Sequence, residues 1–283
     1  TLYAASCAED VEKLKKEYEF LKKHNCELTF LTKSEIEEKY PFSRDAAIYS
    51  YNDADINPFR FTHALLDYAA RKGIRVYEHT EMNGHHYDKE LEKMIVSTKN
   101  GCSIQARHVI FAAGYEGLEI KKEKKASFVS TFTVTTNRVA NLSDWYNRTL
   151  IWETARPYIY MRTTEDNRII IGGLDDNTNY PDDRDSKLIH KKNKLIEELN
   201  KRFPTINAQA EFYLTAFYGG IVDGIPIIGK YEEYPNCYFL FAFGDNGTVY
   251  SQLLSKIIVK EIVEGVCPDV SLYLQDRPLL NED

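Results

Sequence analysis

The apolar pattern near the C-terminus changes abruptly at a glycine-rich turn. Residues 237–243 form a continuous apolar run with aromatic side chains, which is typical of a buried strand. From Val249 onward the apolar residues recur with the spacing of one helix face, and Gly265 and Pro268 mark the end of that helix. The pattern predicts a strand, a tight turn over residues 244–248 and a long helix. The N–H groups of such a turn can bind an anion or an electron-rich carbonyl, although an ordinary α/β turn has the same pattern.

Helical periodicity also occurs in the first third of the chain. It predicts a helix over about residues 8–23 and, further on, a short helix that begins with a capping box formed by Ser34 and Glu37.

A third helix, a glycine and a strand follow. Asn57 and Pro58 are typical of the first positions of a helix, and Gly73 is typical of its end. The next stretch, residues 74–82, reads IRVYEHTEM and predicts a strand. A helix, a glycine and a strand in this order form half of a parallel α/β crossover.

The central part of the chain is rich in strand patterns. Residues 93–98 and 103–114 flank Asn100-Gly101, a pair typical of a type I′ hairpin turn. Because the second arm ends in Ala-Ala-Gly, this arrangement predicts a three-stranded flap over a parallel sheet. Alternating patterns between residues 125 and 175 predict further antiparallel strands, which a helix over residues 186–203 follows.

Composition and charge exclude several classes of protein. With 283 residues, 43% of them hydrophobic, the chain can bury a large core in one domain or in two interlocked ones. The net charge of −7 argues against a nucleic-acid partner, and no apolar run approaches the roughly 20 residues of a membrane span. The five cysteines are scattered and odd in number, which favours a reducing cytoplasm over a disulfide framework or a zinc site. The sequence begins at Thr1 and not at methionine, as processing or the excision of a fragment would produce.

Two groups of potential metal ligands lack the patterns of known metal sites. His79, His85 and His86 lie close together in sequence, but no carboxylate–histidine spacing of a known site accompanies them. The acidic stretch at residues 175–185 lacks the glycine that an EF-hand loop requires. We therefore expect no metal.

Three later segments resemble those of one family in their order and spacing. They read VIFAAGYEG at residues 109–117, GGIVDGIPIIG at residues 219–229 and FLFAFGDNGTVYSQLLSKIIVKEIVEG at residues 239–265. Together with the helix and strand over residues 55–82, they resemble the FAD-dependent D-amino-acid oxidase family, which includes glycine oxidase and sarcosine oxidase. The resemblance implies an α+β fold in which a Rossmann-like FAD domain is interwoven with an antiparallel β-sheet substrate domain.

The family's dinucleotide fingerprint does not occur in this sequence. Members open with a strand, a G-x-G-x-x-G turn and a helix, whereas none of the 14 glycines here has that spacing. We therefore expect an incomplete FAD domain in the C-terminal part of a longer flavoprotein, and a chain that alone binds FAD poorly. The expected domains are a helical segment of the substrate domain at residues 1–50, the remainder of the FAD domain with its flap at 51–120, the β substrate domain at 121–215 and a return to the FAD domain at 216–283.

By resemblance, two parts of the chain lie along the adenosine and pyrophosphate of FAD. Thr80 and Met82 lie on the adenine side. The pyrophosphate side is lined by small residues and a tyrosine: Ala112, Ala113, Gly114 and Tyr115. Simple packing at a strand end would explain the small residues as well.

Two further parts are placed by resemblance around the flavin ring. Gly220 and Asp223 belong to the segment that rounds the flavin edge, although turn chemistry alone would account for them. The turn after the last strand contains Gly244, Asp245, Asn246, Gly247 and Thr248. Its N–H groups and helix dipole would stabilise negative charge on the flavin's pyrimidine carbonyl.

The substrate side departs from the family pattern. Amino-acid oxidases of this family hold the substrate carboxylate with an arginine at the place where this sequence has Tyr218, and a tyrosine cannot form that bidentate clamp. Either Arg156 or Arg162 substitutes for it, or the substrate lacks a carboxylate. Resemblance also places Tyr158, Tyr160 and Asp175 on the wall over the reactive face of the flavin, while a packing role is the alternative for each.

The expected activity is oxidation of a C–N bond in a small amine or amino acid, with hydride transfer to FAD. No catalytic side chain can be assigned, because positioning the substrate over the ring is the protein's main task in such chemistry. Two alternatives stay open: a non-catalytic binding module that keeps the fold without flavin, and a glycerol-3-phosphate dehydrogenase-like flavoenzyme. The substrate, the electron acceptor and the oligomeric state cannot be read from the sequence.

Overall fold

The computed structural model of the chain describes residues 1–244 and 246–279. The α-helices are α1 (Val11–Lys23), α2 (Lys33–Glu37), α3 (Pro58–Arg71), α4 (Gly117–Ile120), α5 (Pro181–Ser186), α6 (Leu188–Arg202) and α7 (Gly247–Glu264). The strands are β1 (Leu2–Ala4), β2 (Leu28–Thr32), β3 (Ala46–Ser50), β4 (Met82–Asp88), β5 (Lys93–Thr98), β6 (Ser103–Ala106), β7 (Val109–Phe111), β8 (Ala126–Thr136), β9 (Ile151–Glu153), β10 (Ile159–Thr163), β11 (Ile169–Asp176), β12 (Ala210–Ile221), β13 (Ile227–Gly229) and β14 (Cys237–Phe241).

The chain divides into two compact units, each made of two separate stretches of sequence. The first unit comprises residues 1–55 and 128–218, and the second comprises residues 56–127 and 219–283. Within the described residues, no helix has both the length and the apolar character needed to cross a membrane. The same residues contain no group of three or more His, Cys, Asp or Glu side chains placed to hold a metal ion.

The first unit is built on an eight-stranded sheet with the order β12-β8-β11-β10-β9-β1-β3-β2. Strands β8 to β11 pair antiparallel with their neighbours, as the alternating sequence pattern predicts, whereas β1 runs parallel to β9. Residues 1–50 were expected to be helical, but they also contribute β1, β2 and β3 to this sheet. These strands are short and are separated by helices, so their sequence pattern is weak.

One face of the large sheet packs on α6 and forms the main core. Leu195 and Leu199 of α6 are fully buried with Phe203, which follows the helix, and with Ile171 of β11. The ring of Trp145 stacks on that of Phe203 with a centroid separation of 4.2 Å. On the opposite face α1 packs on β2 and β3, and Leu14 is buried there. The rest of that face, over β8 to β11, is the open face of the first unit.

Charged side chains form a buried network beside this core. Glu153 Oε2 accepts hydrogen bonds from Arg202 Nη2 at 3.0 Å and from Arg44 Nη2 at 3.2 Å. Arg202 also donates from Nη1 to the Glu198 carbonyl oxygen at 3.0 Å and is buried, as is Glu153. Each buried charge therefore has a partner of opposite sign, which offsets the cost of its desolvation.

The second unit contains two small sheets and α7. In the order β13-β14-β7, β14 runs parallel to β7 and antiparallel to β13, and the second sheet has the order β4-β5-β6. Phe111, Phe239 and Phe241 are buried in this unit together with Met94 of β5. The long C-terminal helix is confirmed, and Gly265 ends it in the left-handed conformation at φ +79°.

The predicted strand over residues 74–82 is wrong for most of its length. Strand pairing begins only at Met82, where β4 starts. Among the described residues, none pairs in a ladder with residues 74–81, and Ile74 and Tyr77 are 61% and 60% exposed. A strand needs a hydrogen-bonded neighbour as well as a suitable pattern.

Two turn-level predictions are also wrong in detail. The capping box of α2 is formed by Thr32 and Glu35, whose carboxylate accepts from both the N–H and the hydroxyl of Thr32 at 2.7 Å. Because β2 ends in an extended Thr32, the helix begins before Ser34. The β5–β6 hairpin exists, but only Gly101 in its turn has a positive φ, so the turn is not type I′.

The second unit leaves apolar surface uncovered in the described structure. Helix α3 begins at Asn57 and Pro58 as predicted, yet none of its residues is buried, and Phe59 is 72% exposed. Ile110 on the edge strand β7 is also exposed. Monomeric proteins rarely leave this much apolar surface open without a function for it.

Candidate functional site

Three loops of the second unit meet at one edge of its parallel sheet. Since β7 and β14 are parallel, the residues that follow them, 112–115 and the described part of 242–248, lie at the same edge. Strand β13 is antiparallel to β14, so the residues that precede it, 219–226, lie there too. We call these three segments the edge loops. The carboxyl edge of parallel strands is the usual place for a nucleotide or cofactor in an α/β sheet.

Hydrogen bonds join the edge loops directly. The Gly244 N–H donates to the Gly219 carbonyl oxygen at 2.8 Å, and the Gly219 N–H donates to Tyr115 Oη at 2.9 Å. The Tyr250 hydroxyl, in the first turns of α7, donates to the Gly224 carbonyl oxygen at 2.9 Å. The structure thus brings together loops that are more than a hundred residues apart in sequence.

Small residues leave open space above the edge loops. Gly114 has φ +57°, and a Cβ added at Gly114 or at Gly220 would meet nothing within 4 Å. Ala112 and Ala113 are exposed. Gly244 has φ +119°, which L side chains rarely adopt, and it allows the chain to turn sharply into α7. A flat or extended ligand could therefore approach the backbone closely here.

The N-terminus of α7 supplies the electrostatic attraction for a ligand at the edge loops. The Tyr250 N–H donates to the Asn246 carbonyl oxygen at 2.9 Å, so the N–H groups of residues 247–249 lie ahead of the first complete helical turn. Asn246 forms no side-chain cap within the described residues, and Thr248 is exposed. Asp245 lies outside the described residues. The N-terminal turn of an 18-residue helix attracts negative charge.

The remaining residues expected near a cofactor have other contacts within the second unit. Met82 opens β4 and packs on the aromatic core, and Thr80 donates to the Glu78 carbonyl oxygen at 3.0 Å. The Asp223 carboxylate is fully enclosed and accepts two hydrogen bonds from Arg277 Nη2, at 2.9 and 3.0 Å. Asp223 therefore stabilises its own loop through a buried ion pair, which the sequence did not predict.

On the open face of the first unit, five positions in register form one row across the sheet. From β1 to β8 the row is Tyr3, Trp152, Tyr160, Gly172 and Thr133. Tyr3 and Trp152 stack at 3.9 Å, and Tyr160 Oη lies 3.3 Å from Thr133 Oγ1. A Cβ on Gly172 would lie 2.4 Å from Tyr160 Oη, so the glycine makes room for the tyrosine.

Tyr160 is the predicted substrate residue that lies in this row. Burial raises the pKa of its hydroxyl above the ordinary value, and the negative charge of Asp175 adds to this, whereas the hydrogen bond with Thr133 and the charge of Arg162 act in the opposite direction. The hydroxyl is therefore neutral at physiological pH. Tyr158 lies 6.0 Å from Tyr160 between ring centroids.

Tyr218 lies on β12 and is half-buried. A cavity of about 410 Å³ opens beside this strand, lined by Thr133, Thr135, Glu211, Phe212, Tyr213 and Leu214. Thr133 belongs to the row of Tyr160, and Thr135 belongs to the next row, with Ile170 and Arg162. Sequence reasoning missed Tyr3, Trp152 and Gly172, because only strand register brings them beside Tyr160.

Loops at the carboxyl edge of parallel strands are typical of nucleotide-binding α/β domains. The DAO family model, described as FAD dependent oxidoreductase, matches residues 1–261, and the chain therefore belongs to this family. A search of curated proteins gives no match.

Solved structures share the fold at low sequence identity. L-proline dehydrogenase from P. horikoshii is 20% identical with a TM-score of 0.77, covering 97% of this chain and 75% of its own. Glycine oxidase from Geobacillus kaustophilus is 19% identical with a TM-score of 0.78, covering 98% of this chain and 74% of its own. L-amino acid deaminase from Proteus vulgaris is 13% identical with a TM-score of 0.75, covering 98% of this chain and 77% of its own.

FAD is the cofactor of this family, and the edge loops suit it. The open space at Gly114 and Gly220 allows close approach of a phosphate or a ring edge, and the N-terminal turn of α7 complements negative charge. That these residues form part of the flavin site stays a prediction of the sequence resemblance.

Proposed function

We propose that this chain belongs to an enzyme that oxidises a C–N bond of a small amine or amino acid with FAD. The observation that carries the proposal is the meeting of the three edge loops at the carboxyl edge of β7 and β14, beside the N-terminus of α7. The similar folds of glycine oxidase, L-proline dehydrogenase and L-amino acid deaminase support an amino-acid or amine substrate.

The edge loops would hold the cofactor without charged side chains. Residues 112–115 and Gly220 would take the pyrophosphate and the flavin edge against backbone, while residues 244–248 would direct N–H groups to the pyrimidine carbonyl. When bound, FAD accepts a hydride from the substrate carbon and passes the electrons to oxygen or another acceptor. Negative charge that develops on the ring would be stabilised by the N-terminus of α7.

The open face of the first unit would position the substrate. We assign this role to Tyr158, Tyr160, Asp175 and Tyr218, as the resemblance implies, and add Trp152 because it is in register with Tyr160. The neutral Tyr160 offers an aromatic surface and a hydroxyl, and it cannot act as a base at physiological pH. Its role would therefore be orientation of the substrate.

We further propose that these residues are the C-terminal part of a longer flavoprotein. The exposed apolar residues of α3, of residues 74–77 and of β7 support this proposal, since additional strands beside β7 would cover them. About a quarter of each of the similar structures has no counterpart in this chain. The additional part would include the dinucleotide-binding βαβ unit, and the chain alone would bind FAD poorly.

All five cysteines are free, which supports the reducing cytoplasm as the place of action.

The non-catalytic alternative predicts no flavin in the protein under any condition.

Expression of the chain with and without the upstream reading frame tests the proposal. The longer protein should purify yellow with stoichiometric flavin, and the chain alone should not. The bound flavin should lose its colour anaerobically with glycine, N-methylglycine or proline, but not with glycerol phosphate. A longer protein without flavin would refute the enzyme assignment, and stoichiometric flavin in the chain alone would refute the fragment proposal.

A further inference from the structure

After α7 the chain returns to β13 and binds to it. Leu274 forms an isolated parallel bridge with Ile228 of β13. The side-chain amide of Gln275 accepts from the Lys230 N–H at 2.9 Å and donates to the Lys230 carbonyl oxygen at 2.8 Å. We call residues 274–277 the strap, because their hydrogen bonds join β13 and, as described next, the loop before it.

Arg277 joins the strap to the edge loop at residues 219–226. Its Nη2 donates to the two carboxylate oxygens of Asp223 at 2.9 and 3.0 Å, and to the Ile225 carbonyl oxygen at 2.9 Å. Asp223 Oδ1 also accepts from the Ile225 N–H at 3.1 Å. A single nitrogen thus binds a carboxylate and a backbone carbonyl of the same short loop, which fixes the two relative to each other.

The energetics of this ion pair favour a role in conformation over one in overall stability. The Asp223 side chain is fully buried, that of Arg277 is 6% exposed, and Arg277 Nε has no hydrogen-bond partner within the described residues. Because the loss of hydration offsets the attraction, replacing such a pair with apolar side chains often leaves stability unchanged or raises it. In some proteins a buried polar pair instead selects one conformation among several.

The conformation of this loop affects the other two edge loops. The Gly219 N–H donates to Tyr115 Oη, and the Gly219 carbonyl oxygen accepts from the Gly244 N–H. The Gly224 carbonyl oxygen accepts from the Tyr250 hydroxyl in the first turns of α7. A loop that is bonded to both of its neighbours sets the spacing between them.

We propose that Arg277 is a positioning residue for the flavin. Through Asp223, it holds residues 223–226 in the conformation in which the edge loops bind the flavin edge. The proposal rests on the proposed function and adds the strap to the cofactor site. A loop that is already ordered loses less conformational entropy when a ligand binds, so the affinity for the ligand is higher.

A paired substitution separates positioning from stability. Asp223→Asn combined with Arg277→Met removes both buried charges, and the new amide oxygen can still accept from the Ile225 N–H. This variant should fold, which circular dichroism and urea denaturation check. In FAD titrations of the flavin-free longer protein, we expect it to bind FAD about 10- to 100-fold more weakly, since ordering about two loop side chains on binding costs that much.

Two further variants control for charge and for general destabilisation. Lys121→Met combined with Glu233→Gln removes another ion pair of the second unit, outside the edge loops, and should leave FAD affinity unchanged. Arg277→Lys keeps a positive charge beside Asp223 and should bind FAD more tightly than the paired variant at residues 223 and 277. An equal loss of FAD affinity in the variant at Lys121 and Glu233 would overturn the proposal.

Hydrogen exchange in the chain without flavin measures the loop directly. The Gly224 N–H donates to the Ile221 carbonyl oxygen, and the Ile225 N–H donates to Asp223. Both amides should exchange faster in the paired variant at residues 223 and 277, while the amides of β14 should not change. Unchanged exchange in the loop would overturn the proposal.

Failure of this proposal and failure of the proposed function give different results. Unchanged FAD affinity in the paired variant, even with faster exchange in the loop, would remove Arg277 from the flavin site and leave the flavoenzyme assignment standing. A longer protein that binds no flavin before any substitution would refute the proposed function, and the role of Arg277 toward flavin with it.

Discussion

Adjacent glycines on β11 should respond very differently to the same substitution. A Cβ on Gly172 would lie 2.4 Å from Tyr160 Oη and 3.0 Å from Thr133 Oγ1, both at the ends of side chains. A Cβ on Gly173 would lie 2.1 Å from the carbonyl oxygen of Tyr158, which is backbone of the neighbouring strand. Gly173 also has φ +116°, whereas Gly172 does not have a positive φ. The first clash can be relieved by a side-chain movement, and the second cannot.

The free energies of unfolding follow from these contacts. For Gly172→Ala, overpacking costs about 1–3 kcal/mol, and the smaller entropy of the unfolded chain returns about 0.5–1 kcal/mol. The net loss should be about 0–2.5 kcal/mol. For Gly173→Ala, backbone strain of about 1–3 kcal/mol adds to a clash of about 1–3 kcal/mol and the same entropy change offsets about 0.5–1 kcal/mol, so the loss should be about 1–5.5 kcal/mol.

Urea denaturation of the full chain, followed by tryptophan fluorescence, measures both losses. The two tryptophans, Trp145 and Trp152, lie in the first unit and report on its unfolding. The decisive control is Tyr160→Ala, in which Gly172→Ala should cost nothing because the ring is gone. An equal cost of Gly172→Ala with and without the Tyr160 ring would refute the reasoning, as would a larger loss at Gly172 than at Gly173.

Three other perturbations test the buried network, an ion pair and the turn into α7. Glu153→Gln should lower the free energy of unfolding by about 1–3 kcal/mol in urea, because Arg202 loses one of its two carboxylate partners and keeps only Glu198. Burial acts to raise the pKa of Asp176, but the hydrogen bond and charge of Lys191 hold it below its ordinary value. Asp176→Asn should therefore destabilise the chain at neutral pH, and the difference should begin to shrink as the pH falls through about 4 and vanish only below the lowered pKa of the folded state. Gly244→Ala should weaken FAD binding to the flavin-containing protein, measured by flavin fluorescence, because its φ of +119° strains any L residue by about 1–3 kcal/mol.

Each of these has a nearby control and a contradicting result. Glu165→Gln changes an exposed carboxylate and should leave the free energy of unfolding unchanged. An equal loss in Glu165→Gln would contradict the stabilising role of the buried Glu153. A pH-independent effect of Asp176→Asn would show that the ion pair is not its cause. Gly84→Ala, on β4 with its nearest obstacle at 4.0 Å, should leave FAD affinity unchanged. FAD affinity that is the same in Gly244→Ala as in Gly84→Ala would contradict the proposed role of the turn.

Local signals in the sequence predicted local structure well. The N-cap Asn57, the proline after it and the C-cap Gly265 lie at the helix ends that the structure shows. Such residues act through their own backbone conformation and bonds one turn away, so a short window contains the cause. The strand predicted at residues 74–82 failed because its pattern required a partner that the described residues do not provide.

The candidate site shows the same difference between local signals and contacts that are distant in sequence. The order and spacing of the glycines predicted the edge loops, because a glycine affects the backbone conformation at its own position. The hydrogen bond from the Gly219 N–H to Tyr115 Oη and the ion pair between Asp223 and Arg277 join distant segments, and no window of sequence contains either one. The sequence therefore predicted the loops but not the contacts that join them.

Register decides what the open face presents, and Gly172 helps to fix that register. Successive residues on β10 point to opposite faces, so a slip of one position would turn Tyr160 into the core and Met161 outward. The ring of Tyr160 reaches across the neighbouring strand toward Thr133, and it can do so only where that strand has no side chain. A glycine elsewhere on β11 would leave the ring in collision with a side chain of its neighbour. The row of aromatic residues and the arginine beside it are therefore a consequence of strand pairing, which explains why the sequence left Arg156 and Arg162 as equal candidates.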